Sequence, residues 1–252
     1  MQLNIIDTIE LLYSKLPQVA CNGCGKCCVS PTCTLAEFLY FMNKCSNTAL
    51  PAAMESLLFK TPSLHRVHDG NLNCLLLDNS HCAVHPWRSG ACRLFGIPSL
   101  DKLDIPDLVP CFNNIQVVSG ESSTAFIQQW LQKIVDVNKE LYSFGTAPYF
   151  VFGFNLECWL DIYFDTTIDA DVFGEIREVM SRYFDLSAYS KRYIPRTNLK
   201  EKIDKITVLS ILLDYGDKNI MRETLLSIIN DYPYTGTYFL REANMFLDAL
   251  PA

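Results

Sequence analysis

Residues 21–28 read CNGCGKCC, and the use made of these four cysteines decides whether the first half of the chain is an ordinary packed core or a segment held by something inorganic. A C-x2-C step turns the backbone tightly enough for two thiolates to meet one metal. Gly23 and Gly25 remove side chains that would obstruct amides aimed at the sulfurs. Asn22, Gly23, Gly25 and Lys26 describe an exposed turn, so burial in a core does not account for these thiols. Cys27 extends the run to C-x2-C-x2-C, the spacing that supplies three thiolates to an iron–sulfur cluster in bacterial-type ferredoxins, although their fourth cysteine followed by proline is missing. The spacing fits zinc as well as iron. Cys27 and Cys28 are adjacent and leave the backbone in different directions, so one can ligate while the other serves a second metal, a second iron or the core.

A second cysteine element begins at Cys74 and runs through Cys82, His85, Arg88, Cys92, Arg93 and Phe95, with Cys111 after a proline-rich stretch. Four thiols lie here and four in the first element. Thiolates gathered together repel unless a cation or cluster neutralises them, so metal is the economical reading. Arg88 and Arg93 fit as donors to the sulfur atoms, with surface or structural salt bridges as their bland alternative. His81 and His85 could each replace a thiolate, but with eight cysteines available they are less needed. Cys33, Cys45 and Cys158 read as core thiols.

The rest of the composition narrows the compartment and the partners. The chain has 252 residues, 49% hydrophobic and 19% charged, enough to bury a real core. Its formal net charge of −7 excludes the basic footprint of a nucleic-acid binder. No apolar run approaches the ~20 residues of a membrane span. The opening MQLNIIDTIELLYSKLP has no basic flank and carries Asp7 and Glu10, so a secretory signal is not expected. An odd total of 11 cysteines in a chain too large to need staples points to metal rather than disulfides, and to the cytoplasm.

Apolar positions at helical spacing predict a helix over 3–16 ended by Pro17, a second in LAEFLYFMNKC after the cap candidates Thr32 and Thr34, and a third in PAAMESLLF. Residues 61–111 are rich in Pro and Gly, so loops with brief extended pieces such as NCLLLD are expected there. From Glu121 an amphipathic helix is expected, with Ile127, Trp130, Leu131, Ile134, Val137 and Leu141 on one face. The aromatic stretch YFVFGFNLECWLDIYF at 149–164 reads as buried core, and further helical patterns follow at roughly 168–190, 198–215, 219–230 and 235–249. The expected architecture is mainly α with little β: a cysteine-cluster, metal-binding region over 1–120 packed on a helical region over 121–252.

CNGCGKCC, then CLLL, then CAVHPWRSGACRLF resemble, in that order, the cysteine-cluster family described as a zinc- or iron-chelating domain, which includes relatives of flagellin lysine N-methylase. The resemblance covers about 18–115. It implies Cys21, Cys24, Cys27, Cys28, Cys74, Cys82 and Cys92 as metal ligands, with Cys111 as a further one. His85 stands where the family commonly has Tyr, Ser89 where Pro usually follows Arg, and Gly96 where Pro often follows Phe. An iron–sulfur cluster, [4Fe–4S] from the C-x2-C-x2-C spacing, is the preferred cofactor, and closed zinc sites are the alternative. The expected function is electron transfer, or a structural role in docking a protein partner. The alternatives are a zinc-stabilised interaction module and a protein-modifying enzyme, lysine N-methylase-like and using S-adenosylmethionine, for which no methyl-donor pocket is recognisable.

Overall fold

A computed structural model describes residues 4–21, 32–47, 74, 76–78, 81–82, 84–94, 97, 116–141, 154–166, 170–191 and 193. Helices dominate among them: α1 Ile5–Ser14, α2 Leu35–Asn47, α3 Gly90–Leu94, α4 Thr124–Lys139, α5 Leu156–Phe164 and α6 Ala170–Ser181. The strands are short pairs, all antiparallel. β1 Gln18–Val19 pairs with β5 Val117–Ser119, β2 Thr32–Cys33 with β6 Phe154–Asn155, and β3 Leu77–Asp78 with β4 His81–Cys82. The mainly α expectation holds. The helices expected in PAAMESLLF and over 198–249 lie outside the described residues.

Each helix starts where its side chains can satisfy amides that have no intrahelical acceptor. Asn4 Oδ1 accepts from the Ile6 amide at 3.1 Å and opens α1, which buries Ile6, Ile9, Leu12 and Tyr13. Of the two cap candidates for α2, Thr34 is the one used and Thr32 sits in β2. Thr34 Oγ1 accepts from the Glu37 amide at 3.3 Å, and Glu37 Oε2 accepts from the Thr34 amide at 2.9 Å, a reciprocal capping box. A third acceptor comes from far along the chain: Asn138 Oδ1 on α4, only 1% exposed, receives the Ala36 amide at 3.0 Å. That bond sets the α2 entry against α4. Ser123 Oγ caps α4 in turn, accepting from the Phe126 amide at 3.3 Å.

α1, α2 and α4 pack on one another, and α2 also packs on α5, which carries α6. Elements from both sides of residue 120 therefore share one core. The aromatic stretch supplies its centre as expected: Cys158, Trp159, Leu160 and Ile162 are fully buried. Trp159 stacks on Phe38 with ring centres 6.0 Å apart, and Phe38 meets Phe184 edge-on at 5.8 Å. Trp130 stacks on Tyr13 at 5.9 Å while its indole N–H donates to the Leu12 carbonyl at 2.8 Å. Such aromatics bury roughly 150–250 Å² each and find a partner for their polar tip, which makes them strong anchors. Among the described residues, no helix is long and apolar enough to cross a membrane.

Gly90 marks the closest approach of α3 to this core. A Cβ placed there would lie 2.4 Å from Trp130 Cη2 and 2.9 Å from Glu37 Oε1. The indole cannot retreat, because its N–H bond and its stacking on Tyr13 hold it. Gly90→Ala is expected to lower unfolding free energy by about 1–3 kcal/mol, the range for overpacking a dense core. Denaturant unfolding checks this, and a loss of only a few tenths would mean that α3 slides freely.

Candidate metal centre

The chain passes the same small space several times. β2 brings Cys33 to it and α2 brings Glu37 and Phe41. Cys74, Leu76, Cys82 and Val84 come from the hairpin region, Arg88, Ser89 and Cys92 from the approach to α3 and its interior, and Leu156 from the start of α5. The cavity measures about 30 Å³. A single water needs roughly 10–15 Å³, so an ion-sized guest has room. Cys33 and Cys74 are buried, while Cys82 and Cys92 are half-buried.

Glu37 ties the walls together. The residue is 6% exposed, and its carboxylate accepts from the Tyr13 hydroxyl at 2.8 Å, the Thr34 amide at 2.9 Å, the Thr34 hydroxyl at 3.1 Å and the Gly90 amide at 2.8 Å. One side chain thus links α1, α2 and α3. Burial first, and then the Glu37 charge, push the Tyr13 phenol well above its ordinary value, so it stays a donor.

The two arginines divide their work. Arg93 Nε donates to the Arg88 carbonyl at 2.9 Å, its Nη2 donates to the Pro86 carbonyl, and its guanidinium lies 4.5 Å from the Tyr13 ring centre. It clamps the 86–93 turn onto α1. Arg88 instead lines the cavity, and its Nε is buried with no hydrogen-bond partner. A buried N–H left unsatisfied costs about 1–3 kcal/mol, more on a charged group. On a wall shared with Cys33, Cys74, Cys82 and Cys92, it fits an anionic metal–thiolate group, which would accept from it. Ser89 Oγ adds a donor, 3.5 Å from Cys92 Sγ.

Of the predicted ligands, the structure brings Cys74, Cys82 and Cys92 to this one cavity. Cys21 is exposed just after β1, beside the Ala20 amide bond to Gln116. Cys24, Cys27, Cys28 and Cys111 lie outside the described residues. Among the described residues, no three His, Cys, Asp or Glu side chains form a group that could hold a metal ion. His85 is exposed on a 3-10 turn, His85–Trp87, and partial burial followed by Arg88 and Arg93 lowers its pKa, favouring the neutral ring. Cys45 and Cys158 sit in the core as expected, the burial of Cys45 pushing its thiol up to about 12. Cys33 was read as a core thiol too. It is buried, but it lines the cavity, and Glu37 lines it as well without having been singled out.

Residues 20–107 match the CxxCxxCC family, described as "Putative zinc- or iron-chelating domain". The matched stretch holds seven of the eight predicted ligands, all but Cys111, and supports metal binding by this region. No curated protein and no solved structure matches the chain.

Proposed function

We propose, from the family match over residues 20–107 and the cysteine cavity, that this protein is a metal-binding module carrying an iron–sulfur centre. The observation that supports it most is the buried Arg88 Nε with no partner on a wall shared with Cys74, Cys82 and Cys92. The residues that would hold the metal are Cys21, Cys24, Cys27, Cys28, Cys74, Cys82, Cys92 and Cys111, enough thiolates for two centres of four ligands each. C-x2-C-x2-C favours [4Fe–4S] for at least one of them. Such a centre supplies one-electron chemistry when bound. The chain's own contribution is a dry apolar wall of Phe41, Leu76, Val84 and Leu156, with Arg88 balancing thiolate charge and Ser89 donating toward Cys92. Cation and hydrogen bonds at sulfur raise a cluster's potential, and burial keeps solvent from it. The module passes electrons to a protein partner or presents a metal-stiffened surface to one, in a reducing compartment such as the cytoplasm.

Anaerobic purification tests this. The protein is expected to be brown, with iron and acid-labile sulfide on elemental analysis and a broad visible absorption. Cys24→Ser and Cys92→Ser are expected to lose that absorption while Cys158→Ser keeps it. A colourless protein with stoichiometric zinc would make the centre a closed structural zinc site and remove electron transfer from the proposal.

A further inference from the structure

We propose that Cys33 and Cys92 are a redox pair, closing a reversible disulfide across the cavity when a peroxide oxidises them. The bond stands on the geometry alone, whereas its consequence, withdrawal of Cys92 from a metal, rests on the metal-centre reading above. Both residues line the same space of about 30 Å³. β2, which carries Cys33, and α3, which carries Cys92, also pack directly on each other, with Cα atoms of the two elements within 8 Å. A disulfide asks for that combination: Cα atoms that reach roughly 4.4–6.8 Å and side chains aimed at a common space. A cavity that holds only about two or three waters, at roughly 10–15 Å³ each, is a short gap to close. Cys45 and Cys158 are buried without lining it, so they stay outside the pair.

The two sulfurs differ in access, which divides the steps between them. Cys92 is half-buried and Cys33 is 5% exposed, so a small oxidant meets Cys92 first. Its sulfur takes one oxygen from hydrogen peroxide: the O–O bond breaks, an S–O bond forms, and water leaves behind a sulfenic acid. The Cys33 thiol then attacks that sulfur. The S–S bond forms, the S–O bond breaks, and the oxygen departs as water with the Cys33 proton. Two thiols have given two electrons and two protons to one peroxide, and an external dithiol reverses the bond by exchange. Cys33 is held for the second step. The β2–β6 pairing sets it opposite Phe154, and the fully buried Trp159 donates its indole N–H to the Cys33 carbonyl at 2.9 Å, so its backbone stays at the cavity wall. In a reducing compartment such a bond is transient and acts as a sensor.

The full chain, freed of metal and reduced, is treated with hydrogen peroxide; the remaining thiols are alkylated in denaturant, and its unreduced proteolytic peptides are weighed. The expected result is a peptide pair joining Cys33 to Cys92, lighter by two hydrogens, that disappears on addition of dithiothreitol. Cys33 recovered as an alkylated thiol from chains in which Cys92 is oxidised would overturn the pair, and that reading, taken on wild type, does not depend on whether a variant folds. Zinc uptake after excess peroxide and then dithiothreitol tests the link to the metal. Wild type is expected to recover its zinc, whereas Cys33→Val is expected to lose it, because Cys92 without its partner goes on to the irreversible sulfinic acid. Equal recovery in the two proteins would overturn the protection of Cys92 by Cys33. Wild type that takes up no zinc at any stage but forms the bond would support the pair and overturn the metal-centre reading.

Discussion

Glu37→Ala is expected to cost about 3–5 kcal/mol of unfolding free energy, the largest loss for any single side chain outside the thiols. The substitution strands four donors in a nearly dry place: the Tyr13 hydroxyl, the Thr34 amide and the Gly90 amide, which bond Glu37 at 2.8–2.9 Å, and the Thr34 hydroxyl at 3.1 Å. Each buried donor left without an acceptor costs about 1–3 kcal/mol, and water entering the vacated volume recovers part of the sum. Glu37→Gln separates acceptor from charge. Its remaining oxygen still serves Tyr13 and Gly90, but its amide nitrogen then meets the Thr34 N–H donor to donor. About half the alanine loss is therefore expected. Denaturant unfolding of metal-replete protein, followed by tryptophan fluorescence, gives both values. A Glu37→Ala loss below about 1 kcal/mol would mean that the carboxylate does not join the three helices.

The role of Glu37 also shows what a sequence carries and what it hides. Thr34-Leu-Ala-Glu37 is a local pattern, legible as a capping box because its two bonds close within four residues. The bonds from Tyr13, 24 residues earlier, and Gly90, 53 residues later, leave no trace in any window. Amphipathic spacing placed α1 and α4 correctly, since a helix buried on one side repeats its apolar positions whatever it packs against. The same independence from context is why the sequence shows Cys33 as a core thiol, which its burial bears out, but not its place on the cavity wall. It has no C-x2-C neighbour, so nothing local distinguishes it from Cys158. Only the pairing with Phe154 and the bond from Trp159, 126 residues on, turn its strand toward the cavity. Cys74, Cys82 and Cys92 were singled out by the family resemblance and all three line the cavity, whereas the difference between Arg88 and Arg93 was not legible. Both follow cysteine-rich patterns, and only the fold separates them: Arg93 donates to the Pro86 and Arg88 carbonyls, while Arg88 lines the cavity.

Removing the metal by anaerobic chelation is expected to lower Tm by about 8–16 °C. The elements around the cavity cannot hold themselves. β3 and β4 have two residues each and α3 has five, whereas an isolated helix is marginal below ~12–15 residues. Short of metal, the 84–94 segment keeps the Arg93 clamp on Tyr13 and the Gly90 bond to Glu37, which explains why a large but incomplete loss is expected rather than global unfolding. A ligand bound at about a thousandfold over its Kd adds about 4 kcal/mol to the folded state. At about 2–4 °C per kcal/mol for a chain of this size, that gives the stated shift. Acid should shrink it, because ligating thiols must lose their protons: as pH falls, protons compete for sulfur, metal affinity drops, and the loaded and chelated proteins converge in Tm. Calorimetry on reduced samples from neutral pH into acid reads both effects. Loaded and metal-free protein melting together at neutral pH would show that Arg93 and Glu37 alone hold the segment, and that sulfur in the cavity does not carry its stability.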